Sequence, residues 1–334
     1  MSGTNAGVVT SLEISRDRFA TAGTFTISRG SRTEVNVVTV TLSSEGFVGR
    51  GECVPYARYD ESMDSVCAQI RSLQADLAAG LDRQALQSAL PAGAARNALD
   101  CAMWDLEAKR AGKPVWQLAG LPAPTSVVTA YTLSLDTPAN MLASARKNAS
   151  RPLLKLKLGG EGDLERLRAV RQGAPDCRLI VDANEGWSAA DYDELAPLML
   201  ELGVALVEQP LPAGSDQALA ERGRPLPVCA DEACHARDSL ESLVGKYDVI
   251  NIKLDKTGGL TEALAMRSAA REAGFGVMVG CMVGSSLGMA PAHLVAQGVE
   301  FVDLDGPLLL AEDRSAAIHY DGSDMHPADS VLWG

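Results

Sequence analysis

The sequence predicts an α/β protein built as a parallel β/α barrel with an α+β capping domain at its N-terminal end. Two observations carry this. From about residue 127 onward, short apolar strands recur eight times at intervals of roughly 25 residues, alternating with amphipathic helical stretches, which is the signature of a closed barrel. Before residue 120 the order is different: strands come first and helices follow, as in a separate α+β domain. A doubly wound open sheet competes for the second half, and eight near-equal repeats favour the barrel. At 334 residues, with 46% hydrophobic and 22% charged, the chain is long enough for two domains and apolar enough to bury a sizeable core.

In chain order, Val8–Ile14, Thr24–Ser28 and Val35–Leu42 read as strands, and a turn over Ser43–Gly46 returns the chain through Phe47–Cys53 as a hairpin. Helical periodicity follows over Met63–Ala79 and Ala94–Ala111. Gly112-Lys113-Pro114 stops the second helix, and Leu121-Pro122-Ala123-Pro124 reads as a linker. The barrel strands are expected at Val127–Leu133, Leu153–Leu158, Arg178–Ala183, Val204–Glu208, Leu226–Asp231, Val249–Leu254, Gly276–Cys281 and Glu300–Leu304, with Leu164–Arg171 and Leu260–Glu272 among the helices between them. The predicted division is a capping domain over 1–120, a barrel over 121–306 and a tail over 307–334 that packs back on the capping domain.

A net charge of −13 argues against an electrostatic grip on nucleic acid or an anionic membrane. The seven cysteines are scattered and odd in number, the pattern of reduced thiols rather than a disulfide framework. The N-terminus lacks a basic-then-apolar signal, and no apolar run approaches the ~18 residues of a membrane span. A soluble cytoplasmic protein is therefore expected. The composition is compatible with a homo-oligomer and leaves the number of subunits open.

The polar residues of the repeats sit at the C-terminal ends of the strands, where a barrel builds its site. Lys155 and Lys157 end the second strand on one face, Asp182 the third, Glu208 the fourth and Asp231 the fifth; Lys253 lies in the sixth, and Asp303 and Asp305 end the eighth. From Lys157 the steps to Asp182, Glu208, Asp231 and Lys253 are 25, 26, 23 and 22 residues. Singly, such an aspartate caps a helix and such a lysine is solvated. Together, three carboxylates converging on a barrel mouth repel one another unless a cation lies between them. All-oxygen ligands select a hard metal, Mg²⁺ first and Mn²⁺ second. A lysine beside another cation acquires a lowered pKa and can act as a base near neutral pH. This geometry suits removal of a proton α to a carboxylate, the resulting enediolate being held by the metal.

Lys155-Leu156-Lys157, Asp182-Ala183-Asn184, Glu208-Gln209-Pro210, Asp231-Glu232 and Lys253-Leu254-Asp255-Lys256 together resemble the enolase superfamily, muconate-lactonizing subgroup, over nearly the whole chain. The resemblance implies that Lys157 and Lys253 are the two acid/bases and that Asp182, Glu208 and Asp231 bind the metal. Asn251 and Lys253 share a strand face while Lys256 falls just past it. The mandelate-racemase subgroup carries a seventh-strand histidine, and Phe275–Met282 has none. Asp303-Leu304-Asp305-Gly306-Pro307 is similar to the dipeptide epimerases, where the paired aspartates hold the substrate's free ammonium. Arg32, in Gly30-Ser31-Arg32, resembles the arginine that meets the side-chain carboxylate of an L-Ala-D/L-Glu substrate. Thr132, Lys155 and Cys281 match substrate-contacting positions, and murein-peptide recycling is the implied setting. An N-acylamino-acid racemase or succinylbenzoate synthase would use the same lysines and metal without an obvious need for both aspartates.

Three other motifs compete. Gly284-Ser285-Ser286-Leu287-Gly288 fits a nucleophile elbow, with Asp303 and His319 following in hydrolase order, but it leaves the carboxylate–lysine series unexplained. Cys229, Cys234 and His235 lie close together without a second pair of zinc ligands. Lys256-Thr257-Gly258 matches a penicillin-binding fragment whose Ser-Asp-Asn companion is missing.

Overall fold

A three-stranded antiparallel sheet and a small group of helices form the first layer of the computed structural model, which describes residues 9–334. Val8, the predicted start of the first strand, lies outside them. The two predicted strands at the N-terminal end are one strand, Ser11–Ile27, paired antiparallel with Gly30–Ser44, its register shifting between Ala20 and Phe25. The charged stretch Arg16–Arg18 does not interrupt it, because its backbone continues to pair with Asn36–Val38. Glu45 and Gly46 turn the chain at φ 53° and 85°, the left-handed pair that a tight hairpin favours, into Phe47–Cys53.

The predicted helix over 63–79 breaks at Leu73 into Met63–Ser72, whose N-terminus carries a Ser62–Ser65 capping box, and Gln74–Ala78. Ala94–Ala111 runs its full predicted length and stops at Gly112 with φ 60°. Nearly all of this helix is buried, for it is sandwiched between the capping sheet and the barrel. On the barrel side it meets Gly258, held at φ 79°, where any Cβ would collide with the Arg96 guanidinium.

The barrel strands are Tyr131–Leu133, Leu153–Lys157, Arg178–Asp182, Val204–Glu208, Val228–Ala230, Val249–Ile252, Gly276–Gly280 and Phe301–Asp303. They are parallel and adjacent in chain order. The two edges meet where Ala130 N donates to Val302 O (2.8 Å) and Leu304 N to Thr129 Oγ1 (2.8 Å). The predicted first strand is shortened, since Val127–Val128 instead pair with Asp324–Met325 of the tail. Further along the tail, Arg314 bonds Glu52, Asp17 and Thr39 of the first layer, and Gly334 N donates to Asp105.

Alternation along the strands sorts the barrel interior into storeys. Ala130, Leu153, Ile180, Leu206, Cys229, Val249, Met278 and Phe301 form one apolar cluster, a residue from each strand or its lead-in. Two positions further on, the same faces carry Lys155, Asp182, Glu208, Asp231, Asn251 and Asp303. The apolar layer is the floor and the polar layer is the site. All seven cysteines are free, and no helix among the described residues is long and apolar enough to cross a membrane.

Candidate active site

Lys157, on the second strand, and Lys253, just past the sixth, stand on opposite walls of an eight-stranded barrel. The third, fourth and fifth strands form the wall between them and supply Asp182, Glu208 and Asp231. These three are buried, and one oxygen of each lies within 4.8 Å of the others. Among the described residues no other group of three or more metal-ligating side chains converges in this way. The eighth strand completes the ring with Asp303 and Asp305.

Each carboxylate is aimed by specific neighbours. Asp182 Oδ1 accepts from Asn184 N (2.9 Å), and its Oδ2 accepts from Lys157 Nζ (2.6 Å). Glu208 Oε1 accepts from Asn251 Nδ2 (2.7 Å). Asn251 is seated against Gly280, where a Cβ would lie only 2.7 Å from its Oδ1. Asp231 takes Lys253 on Oδ2 and Lys256 on Oδ1, both at 2.6 Å, and its backbone N donates to Gln209 Oε1 (2.9 Å). Gln209 and Asn184 sit at φ 36° and 45°, strained values for non-glycine residues, so the turns after the third and fourth strands are held by their bonding.

Lys155 Nζ is buried among Asp303 Oδ2 (2.8 Å), Glu208 Oε2 (2.6 Å) and Asp182 Oδ2 (3.2 Å). The approach to Glu208 is an ion pair off the hydrogen-bonding direction, which leaves Glu208 Oε2 a buried acceptor without a hydrogen bond. Burial pushes Glu208 up to about 7, with Asp182 adding to it. Burial works the same way on Asp182 and Asp231, but the lysines outweigh it and hold both below the usual carboxylate range. Three carboxylate ligands, one with a buried oxygen that accepts no hydrogen bond, fit a hard metal ion.

Among the protein's own groups, Lys253 is held above the usual range. Burial does act to lower it, but Asp231 and Glu208 outweigh both burial and the repulsion from Lys155. Lys155 is raised in the same way by Asp303, Glu208 and Asp182.

Asp305 Oδ2 accepts from the backbone N of Thr132 (2.6 Å), and Asp303 Oδ1 is buried without a partner. Burial, then Asp303, pushes Asp305 up to about 7. Cys281, partly exposed, lines the cleft above the lysines. Arg32 lines the rim of that cleft and makes no ion pair among the described residues. The predicted lysines and carboxylates therefore converge at one barrel mouth with Arg32 and Cys281 on its cleft, while Thr132 lines a neighbouring cavity and joins the site through its backbone N, which donates to Asp305.

Several neighbours carried no predicted role. Lys256 lies past the strand, but the short helix Leu254–Thr257 turns it back so that its ammonium bonds Asp231 and Asn251 O. Arg29, three residues before Arg32, donates to Asn184 O (2.9 Å), Glu232 Oε1 (2.8 Å) and Tyr56 OH (2.9 Å), fastening the capping hairpin to the barrel mouth. Only an alternation count through the hairpin could have separated the two arginines. The hydrolase constellation is not assembled. Ser286 is fully buried, donates to Asp313 Oδ2 (2.5 Å) and accepts from Ile318 N, while His319 packs on His326. Cys229 and Cys234 are buried, and His235 lies edge-on to Tyr59.

A β/α barrel whose mouth joins a three-carboxylate centre to lysines on facing walls, under an α+β cap, defines the class of protein. Residues 9–120 match the N-terminal domain of mandelate racemase / muconate lactonizing enzyme, and residues 140–309 match the enolase C-terminal domain-like family. The chain belongs to this family, within the enolase superfamily. It is 50% identical over 304 residues to an L-Ala-D/L-Glu epimerase of Escherichia coli, covering 90% of this chain and 95% of that protein. It is 47% identical over 300 residues to an N-acetyl-D-glutamate racemase of Pseudoalteromonas, covering 89% and 95%. A crystal structure from Agrobacterium tumefaciens, an enolase family member with homology to dipeptide epimerases, superposes with a TM-score of 0.95 at 55% identity, covering 97% of this chain and 99% of that one. That protein was crystallised with sodium and L-Ala-L-Glu.

Proposed function

We propose that this protein is a dipeptide epimerase of the L-Ala-D/L-Glu kind, an isomerase that inverts the α-carbon of the second residue by moving a proton between two lysines. The observation that carries the reading is the placement of Lys157 and Lys253 four strands apart, with the carboxylate centre on the wall between them. An α-carbon held above that centre presents one face to each lysine. One lysine removes the proton and the other returns it from the far side, which inverts the centre. Asp182, Glu208 and Asp231 would hold Mg²⁺, which would supply positive charge for the substrate carboxylate and for the second negative charge that grows on it. Lys157 and Lys253, each 2.6 Å from a carboxylate of that centre, are the groups placed to exchange protons with the α-carbon.

The buried, unpartnered Oδ1 of Asp303 favours a substrate with a free ammonium over an N-acylated one, because the ammonium gives that oxygen a charged donor where an N-acyl amide offers a single neutral N–H. Arg32, unpaired at the rim, meets the side-chain carboxylate of the second residue. The reading is tested with a library of free dipeptides in D₂O with Mg²⁺, followed by mass spectrometry. Deuterium should enter the second residue of Ala-Glu dipeptides, and EDTA should stop it. Incorporation into N-acetylglutamate but no dipeptide would replace this reading by the racemase.

A further inference from the structure

Tyr59 ends the short helix Ala57–Tyr59 of the capping domain and lines the cleft beside Lys157, Asp231 and Lys253. Its ring is fixed on two sides, edge-on to Tyr56 with centroids 5.4 Å apart and edge-on to His235 of the barrel at 4.7 Å. The hydroxyl is buried and makes no hydrogen bond. The charged groups that bear on it most are Asp231, Lys253 and Glu232, which form the wall between the fifth and sixth strands. None of them engages it. Asp231 is bonded by Lys253 and Lys256, Glu232 Oε1 by Arg29, and Glu232 Oε2 is itself without a partner.

A buried hydroxyl left unbonded is destabilising, and neither ring contact needs the oxygen. A phenylalanine would make both contacts without that cost. The oxygen therefore has its use in a partner that arrives with the ligand. Burial, reinforced by Asp231, keeps the phenol above its ordinary range, so it is an O–H donor throughout the working pH range. A neutral phenol can also accept, but between Lys157 and Lys253 the group that arrives is the substrate carboxylate, which only accepts.

We propose that Tyr59 is a catalytic residue supplied by the capping domain, donating its hydroxyl to the reacting carboxylate of the substrate between Lys157 and Lys253. This rests on the proton-transfer reading above. The negative charge on that carboxylate grows as the α-proton leaves, so the bond is stronger in the transition state than in the ground state and acts on kcat. It also requires the cap to be in place before the chemistry proceeds.

Tyr59→Phe in the full-length protein with Mg²⁺ tests this, because the variant keeps both ring contacts. Initial deuterium incorporation is followed separately into L-Ala-L-Glu and L-Ala-D-Glu in D₂O. Both rates should fall by the same factor, roughly ten- to a hundredfold, and more in kcat than in KM. Mn²⁺ affinity measured calorimetrically should be unchanged. Wild-type rates in the variant overturn the inference. So does a loss confined to the diastereomer that Lys253 exchanges, since the hydroxyl would then serve the lysine. A fall in Mn²⁺ affinity that matches the fall in rate overturns it too. A wild-type protein that exchanges neither diastereomer overturns the proton-transfer reading itself.

Discussion

Replacing Asp303 by Asn should cost this enzyme most of its activity on free dipeptides and little on acylated ones. Asp303 is 5% exposed; its Oδ2 is held by Lys155 at 2.8 Å, and its Oδ1 is buried without a partner. In the proposed function the substrate ammonium donates to that oxygen, a charge-assisted bond worth about 1.5–3 kcal/mol. The corresponding loss in kcat/KM is roughly ten- to 150-fold. The substitution also removes one of the three carboxylates around Lys155, but Glu208 at 2.6 Å and Asp182 at 3.2 Å remain to keep it charged. Any effect through Lys155 is common to both substrates and cancels in their ratio. The assay is therefore a cycle: wild type and Asp303→Asn, each with L-Ala-L-Glu and its N-acetyl derivative. Acetylation should cost the wild type a factor in the same range, and the variant no more than about two- to threefold. An equal acetylation penalty in both proteins would refute the ammonium clamp.

Glu208→Gln should weaken Mg²⁺ binding at least roughly tenfold by calorimetry, because it removes one of three charged ligands while keeping the Asn251 contact at Oε1. Arg32→Ala should reduce the preference for Glu over a neutral second residue by about tenfold or more, measured as a kcat/KM ratio, with metal affinity intact. Asp305→Asn tests the charge balance of the eighth strand through stability. The folded value of Asp305 lies at about 7, well above that of an unfolded aspartate, so the fold binds the extra proton. Wild-type stability contributed by this group is then present at about pH 4 and lost as pH rises towards 7. Thermal melts of wild type and variant should converge near pH 4, and the variant should be the more stable at pH 8; the opposite order would refute this assignment.

The catalytic layer was legible in the sequence because a barrel strand alternates with period two. Lys155, Asp182, Glu208 and Asp303 stand two residues beyond, and Asp231 two beyond Cys229, from positions that the same alternation places in the apolar floor. The regular steps between strands told which residues shared that layer. What escaped was whatever depended on the chain leaving its strand. Lys256 returns to Asp231 only because Leu254–Thr257 form a turn of helix. Arg29 and Tyr59 reach the barrel mouth only through the docking of one domain on another, about which local periodicity is silent. The sequence divides the first strand across residues 15–23, where apolar alternation lapses, whereas backbone pairing with the second strand carries it through Arg16–Arg18.

The central claim is that two lysines work from opposite faces of one α-carbon, and deuterium exchange in single-lysine variants tests it most directly. In D₂O with Mg²⁺, Lys157→Ala should abolish net epimerisation yet still exchange the α-proton of L-Ala-L-Glu, the diastereomer that the family resemblance assigns to Lys253. Lys253→Ala should do the reverse, exchanging only L-Ala-D-Glu through Lys157. Exchange of both diastereomers by either variant, or of neither by both while Mg²⁺ still binds, would contradict a two-base mechanism built on the facing walls of this barrel.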